Sequence, residues 1–155
     1  MQGVRVGDWR GNQVGNFDPA AVSDLRRKLE STAADRLLAR AEALPAGERV
    51  LLRSIYADGK SAAELATLMG CTPKKARARV RAIVSRVMSP MFGFVVAHGA
   101  GWPESRRRVG VACFLQGQSQ RDAAHALKTS LHAVRRHCQT IQVLAQAARY
   151  GEVAA

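Results

Sequence analysis

Between Lys74 and Arg81 the chain places five cations (Lys74, Lys75, Arg77, Arg79 and Arg81) with no carboxylate among them. Such a run does one kind of chemistry, which is to hold anions. Lysine acts as a point charge, whereas arginine presents a planar fork that can meet a phosphate, or O6 and N7 of guanine, with two parallel hydrogen bonds. Helical geometry at about 100° per residue sorts these side chains. With Ala76, Val80 and Ile83 turned inward, the opposite face carries Lys74, Arg77, Ala78, Arg81 and Ser85, and Lys75 and Arg79 flank it at the height of the phosphates. A second cluster combines His132, Arg135, Arg136 and Gln139 on one helical face. It adds a glutamine, which can bond adenine N6 and N7, to arginines suited to guanine. Arg106 and Arg107, in a run completed by Arg108, precede that cluster and read as backbone contacts, which orient a protein on DNA without specifying sequence.

The elements that must position these groups are spelled locally. Ser61-x-x-Glu64 is a capping box, in which serine and glutamate each satisfy an orphan amide at a helix start. Leu65 and Leu68 continue the helix to Met69-Gly70, where glycine suits the left-handed end. Thr72 is then a second N-cap, with Pro73 at the first helical position, where its missing N–H costs nothing. Two short helices joined by a tight glycine turn, the second strongly basic, spell a helix-turn-helix. Thr72 and Ser130, as caps, join the candidate DNA contacts.

The pattern occurs twice. Laying Trp102-Pro103 on Leu44-Pro45 gives an offset of 58 that holds without a gap. Gly59 falls on Gly117, Ser61 on Ser119, Glu64 on Asp122, Thr72 on Ser130 and Arg77 on Arg135, while the inner positions Ala76, Val80 and Ile83 become Val134, Cys138 and Ile141. Repetition of caps, core and turns together marks a duplicated supersecondary unit. Lys128 stands where the first copy has Gly70, so a looser or differently held turn is expected there.

Leu44 to Met88, containing LPAGERVLLRSIYADGKSAAELATLMGCTPKKARARV, resembles the region 4 helix-turn-helix of sigma-70-type sigma factors. Trp102 to Gln139 (WPESRRRVGVACFLQGQSQRDAAHALKTSLHAVRRHCQ) resembles the same module, with a likeness to LuxR-type output domains in SLHAVRRH. The resemblance implies binding of promoter-like double-stranded DNA. It does not extend to sigma region 2, so a complete sigma factor is not implied.

The rest of the chain frames these units. The 155 residues carry a net charge of +12, which points to a polyanionic partner, nucleic acid before membrane. The charge is concentrated: nine Lys/Arg against three Asp/Glu over residues 44–91, eight against two over 102–149, and seven against six over 1–43. Low aromatic content disfavours single-strand binding by base stacking. Cys71, Cys113 and Cys138 have no CxxC spacing and suit a reducing cytoplasm. The four histidines show no metal-ligand spacing, and no nucleophile elbow surrounds any serine, so neither metal, cofactor nor enzymatic activity is expected. No apolar run reaches membrane-spanning length, and the N-terminus does not begin a signal peptide.

Residues 1–18, rich in glycine and asparagine, read as a flexible arm from which Arg5 and Arg10 could reach a minor groove. Residues 19–43 read as an amphipathic helix with Val22, Leu25, Leu29, Ala33, Leu37 and Ala41 in one buried stripe, packed on the next domain or pairing two chains. Residues 44–92 form the first helix-turn-helix domain, 93–101 (within the apolar, glycine-rich 91–101) a linker at the domain boundary, and 102–155 the second domain. The expected fold is therefore all-α. The expected function is sequence-specific regulation of transcription on double-stranded DNA in the cytoplasm. RNA polymerase and a second copy of the chain are further partners the reading admits. An adaptor that uses one repeat on polymerase, and a phage or mobile-element packaging or recombination accessory protein, are the alternatives.

Overall fold

The computed structural model describes residues 19–154, and the fold is all-α. The elements are α1 (Pro19–Ala41), α2 (Ala46–Tyr56), α3 (Ala62–Met69), α4 (Pro73–Met88), α5 (Pro90–His98), α6 (Glu104–Gly110), α7 (Gln120–Ala126) and α8 (Leu131–Ala154). A 3₁₀ turn, Gly99–Gly101, follows α5, and one turn of wide π-helix, Val111–Leu115, continues α6. The arm expected at residues 1–18, with Arg5 and Arg10, lies outside the described residues. From Ala34 onward the chain forms one compact unit, and the preceding part of α1 is a separate one.

Local chemistry accounts for the helix ends. Ser61 Oγ accepts the Glu64 N–H at 3.3 Å, and Glu64 Oε2 accepts the Ser61 N–H at 2.7 Å, so both halves of the capping box are made. These two bonds, the backbone one first, hold the Glu64 carboxyl below its ordinary range. Gly70 ends α3 at φ 62°, and the Cys71 N–H closes the turn onto Ala66 O at 2.9 Å. Thr72 Oγ1 accepts the Lys75 N–H at the start of α4, with Pro73 in its first turn.

The second repeat reproduces most of this geometry, although Ser119 Oγ accepts the Asp122 N–H without the return bond that Glu64 makes, and a π turn stands in for the end of α2. Pro45 and Pro103 have φ, ψ of −53°, 146° and −54°, 144°. Gly59 and Gly117 lie at φ 68° and 69°; the Lys60 N–H reaches Ser54 O at 2.9 Å and the Gln118 N–H reaches Ala112 O at 3.0 Å. The turn expected to be looser at Lys128 is not looser. Lys128 itself adopts φ 51°, and the Thr129 N–H bonds Ala124 O at 3.0 Å, the counterpart of the Cys71 bond. The six-to-one backbone bond holds the turn, so a lysine takes the strained left-handed conformation in place of glycine.

One expectation is corrected. Residues 93–101 are not a linker. Ser89 Oγ caps α5 through the Phe92 N–H at 3.2 Å, Pro90 fills its first turn, and Phe92 and Val95 are buried. These two join Leu37, Leu52, Val80, Ile83, Val87 and, from the second repeat, Leu115 and Ile141 in one core. Both repeats therefore share packing instead of flanking a spacer. Gly93 lies inside the helix and leaves room for Arg40 to pass over it: a Cβ there would stand 2.8 Å from Nη2 of Arg40, which donates to Ser89 O at 2.9 Å. Among the described residues of the α1 stripe, Leu37 and Ala41 are in the core, while Ala33 is exposed and Leu29 is 70% exposed in the single chain.

Candidate nucleic-acid interface

The sequence of α4 divides its surface. Ala76, Val80, Ile83 and Val87 recur at spacings of three and four and are buried, so the helix is pinned with its opposite face outward. Lys74, Lys75, Arg77, Ala78, Arg79 and Arg81 are all exposed, as is Ser85. In α8, Val134, Cys138, Ile141 and Ala145 take the inner positions, and His132, Arg135, Arg136 and Gln139 are exposed. Thr72 and Ser130 are exposed at the helix starts, their hydroxyls accepting the Lys75 and Ala133 N–H groups at 3.3 and 3.1 Å.

The electrostatics follow from what these cations lack. Ion pairs among the described residues engage Arg27, Arg49, Arg53 and Arg86. Apart from Arg86, which pairs with Glu48 at the far end of α4, none of the cations of α4 or α8 is among them, and no carboxylate lies on α4. An unpaired, solvated guanidinium surrenders little to bind a phosphate, whereas a paired one would first have to break its bridge.

Arg106 is half-buried, with Nε shielded from solvent and without a hydrogen-bond partner, while Arg107 and Arg108 are exposed. Its charge acts inward: burial first, then Arg136 and Arg106, push the His137 imidazole below its ordinary value and favour the neutral ring. Arg108, Lys128 and His137 meet, with Glu104, Ser105 and Thr129, around a polar cleft of about 330 Å³ in the second repeat. The sequence reading includes Arg108 only as the end of the Arg106-Arg107-Arg108 run and does not place Lys128 at a site. The signal was present in the Arg106-Arg107-Arg108 run and in a lysine at a turn position that glycine fills in the first repeat.

Cys113 and Cys138, 25 residues apart in sequence, also meet. Their thiols are hydrogen-bonded, and that bond together with burial raises Cys113 above the ordinary thiol range. Both are free, and they sit in the small core of the second repeat. Among the described residues no cluster of three histidine, cysteine or carboxylate side chains could hold a metal ion, and no single helix is long and apolar enough to cross a membrane. Comparison with protein-family models, curated proteins and solved structures found no match.

Proposed function

We propose that the chain is a sequence-specific double-stranded DNA-binding regulator of transcription that uses two tandem helix-turn-helix units. The observation that carries this reading is the pair of helices α4 and α8. Each is introduced by the same capped turn, and each exposes polar or cationic side chains that no carboxylate neutralises. Neutralising phosphates releases condensed counterions, which supplies affinity, and the mixed face of α8 supplies donors and acceptors for base edges. The shared core adds a constraint. Ile83 of α4 and Ile141 of α8 lie in one cluster, so the two helices are not free to hinge independently. One chain then acts as a covalent pseudo-dimer on two adjacent major grooves about 10 bp apart.

Selection of bound sites from random DNA with purified protein, followed by footprinting, tests the reading. A discrete bipartite site is expected, and changing its spacer by half a helical turn should remove the contribution of the second half. Broad, sequence-tolerant protection would instead indicate a DNA-handling protein, and protection only in the presence of RNA polymerase an adaptor.

A further inference from the structure

The inner flank of α4 borders a cavity of about 320 Å³. Its apolar wall is Ile55 from α2, Leu65 from α3, and Ala76 and Val80 from α4. Lys60, Arg77 and Arg81 line it as well, and all three are exposed. No carboxylate lines the cavity. Lys60 lies within electrostatic range of Glu64, yet none of the three cations is held in an ion pair among the described residues. Apolar walls edged by a few charged side chains are a usual composition of a small-molecule site, and this one is at the small end of the range.

The two halves of that lining ask for one kind of ligand. The wall rewards a hydrocarbon tail, and three cations free of ion pairs reward an anionic head. At roughly 30 Å³ per water-sized group, the space takes about ten non-hydrogen atoms, the size of an eight-carbon carboxylate. We propose that this cavity binds a medium-chain monocarboxylate, its tail against Ile55 and Ala62, over the buried Leu65, Ala76 and Val80, and its head among Lys60, Arg77 and Arg81. The second repeat does not carry the same chemistry. Gln118 and Gln139 replace Lys60 and Arg81, and the hydrogen-bonded Cys113 and Cys138 replace Ile55 and Val80. Arg77 and Arg81 also belong to the outward face of α4, so an occupied cavity withdraws two cations from DNA. That consequence rests on the DNA-binding reading, whereas the binding itself does not.

Calorimetric titration of the full chain with octanoate, with octanol and octylamine as controls, tests the site without DNA. Saturable binding of one octanoate is expected, with octanol weaker and octylamine absent. Lys60→Ser should weaken octanoate by up to about fivefold and leave octanol unchanged. Ala62→Phe, which fills the cavity from α3, should abolish binding of both while the circular dichroism spectrum stays helical. Equal affinity for octanoate and octanol, or octanoate binding that survives Ala62→Phe, overturns the proposal. On DNA, octanoate should release the wild-type chain and not Ala62→Phe. Calorimetric binding without that release overturns the regulatory consequence alone, and a chain that binds octanoate but no DNA counts against the proposed function alone.

Discussion

Gly59 and Gly117 occupy the same position in the two repeats at nearly the same φ, 68° and 69°, but they differ in what lies beyond them. A Cβ on Gly59 would meet nothing within 4 Å. One on Gly117 would collide with Nη1 of Arg86 and stand 3.0 Å from its Cζ. Alanine at either site takes on a left-handed backbone, at about 1–2 kcal/mol, and recovers about 0.4–1 kcal/mol from the stiffer unfolded chain. Gly59→Ala should therefore destabilise by about 0.5–1 kcal/mol. At Gly117 the arginine must move too. It is paired with Glu48, the two side chains being only 20% and 18% exposed. A hydrogen bond to a charged group contributes about 1.5–3 kcal/mol, part of which returns when the displaced guanidinium reaches water. Gly117→Ala should thus cost about 1–2 kcal/mol more than Gly59→Ala. Urea unfolding of both variants measures the difference, and repeating both in an Arg86→Met background closes the cycle by abolishing the excess. Equal costs in the wild-type chain, or an excess that survives Arg86→Met, would refute the idea that Arg86 braces the second repeat.

Lys128→Gly should stabilise the chain by up to about 1 kcal/mol, the relieved left-handed strain outweighing the added freedom of the unfolded chain, and thermal or urea unfolding reads this directly. On DNA, log affinity should fall with log salt at a slope between about −6 and −9, as for roughly 7–10 phosphate contacts; a slope near −2 would mean that one repeat engages alone. Gln139→Ala or Arg136→Ala should relax preference at one or two base pairs at a cost of about 1–3 kcal/mol on the best site only. Lys75→Ala or Arg79→Ala should weaken all sequences alike and shallow the slope by about one unit each, and titrations on the best site and on scrambled DNA at matched salt separate the two behaviours. Because burial holds His137 below its ordinary value of 6.5, the unfolded chain takes up that proton first on acidification. The contribution of the neutral ring is complete above about 6.5 and is lost as pH falls toward the folded value, so melting between pH 8 and pH 5 should fall less steeply in His137→Gln than in the wild type.

The duplicated unit was legible because it is built from side chains whose local geometry is nearly self-sufficient. Ser61, Thr72, Ser119 and Ser130 each bond amides within three residues, so their spelling predicts the helix starts without knowledge of the rest. Exposure of the candidate contacts on α4 and α8 followed from the same logic, since once Ala76, Val80, Val134 and Cys138 are placed inside, helical phase decides which side chains face out.

What was not legible depended on partners distant in sequence. Ser89-Pro90 has the same cap-and-proline spelling as Thr72-Pro73, but the glycines that follow made 91–101 look like a connection. In the fold, Gly93 makes room for Arg40 and Gly110 for Trp102, whose Cζ3 would lie 3.1 Å from an added Cβ. These glycines record close approach within a packed core, a use that composition cannot distinguish from loop formation. The spacing of Val22, Leu25, Leu29 and Leu37 likewise identifies residues that share a face but not what covers it, and Leu29 is exposed while Leu37 is buried. The consequence for function lies in the same place. A flexible 93–101 would have left two independent binders whose joint affinity varied gently with the separation of their sites. A helix seated in the common core, with Ile83 and Ile141 in one cluster and Arg86 against the Gly117 turn, makes spacing a property of the fold. On the proposed DNA-binding function, recognition would then depend on the distance between half-sites as much as on the bases within them.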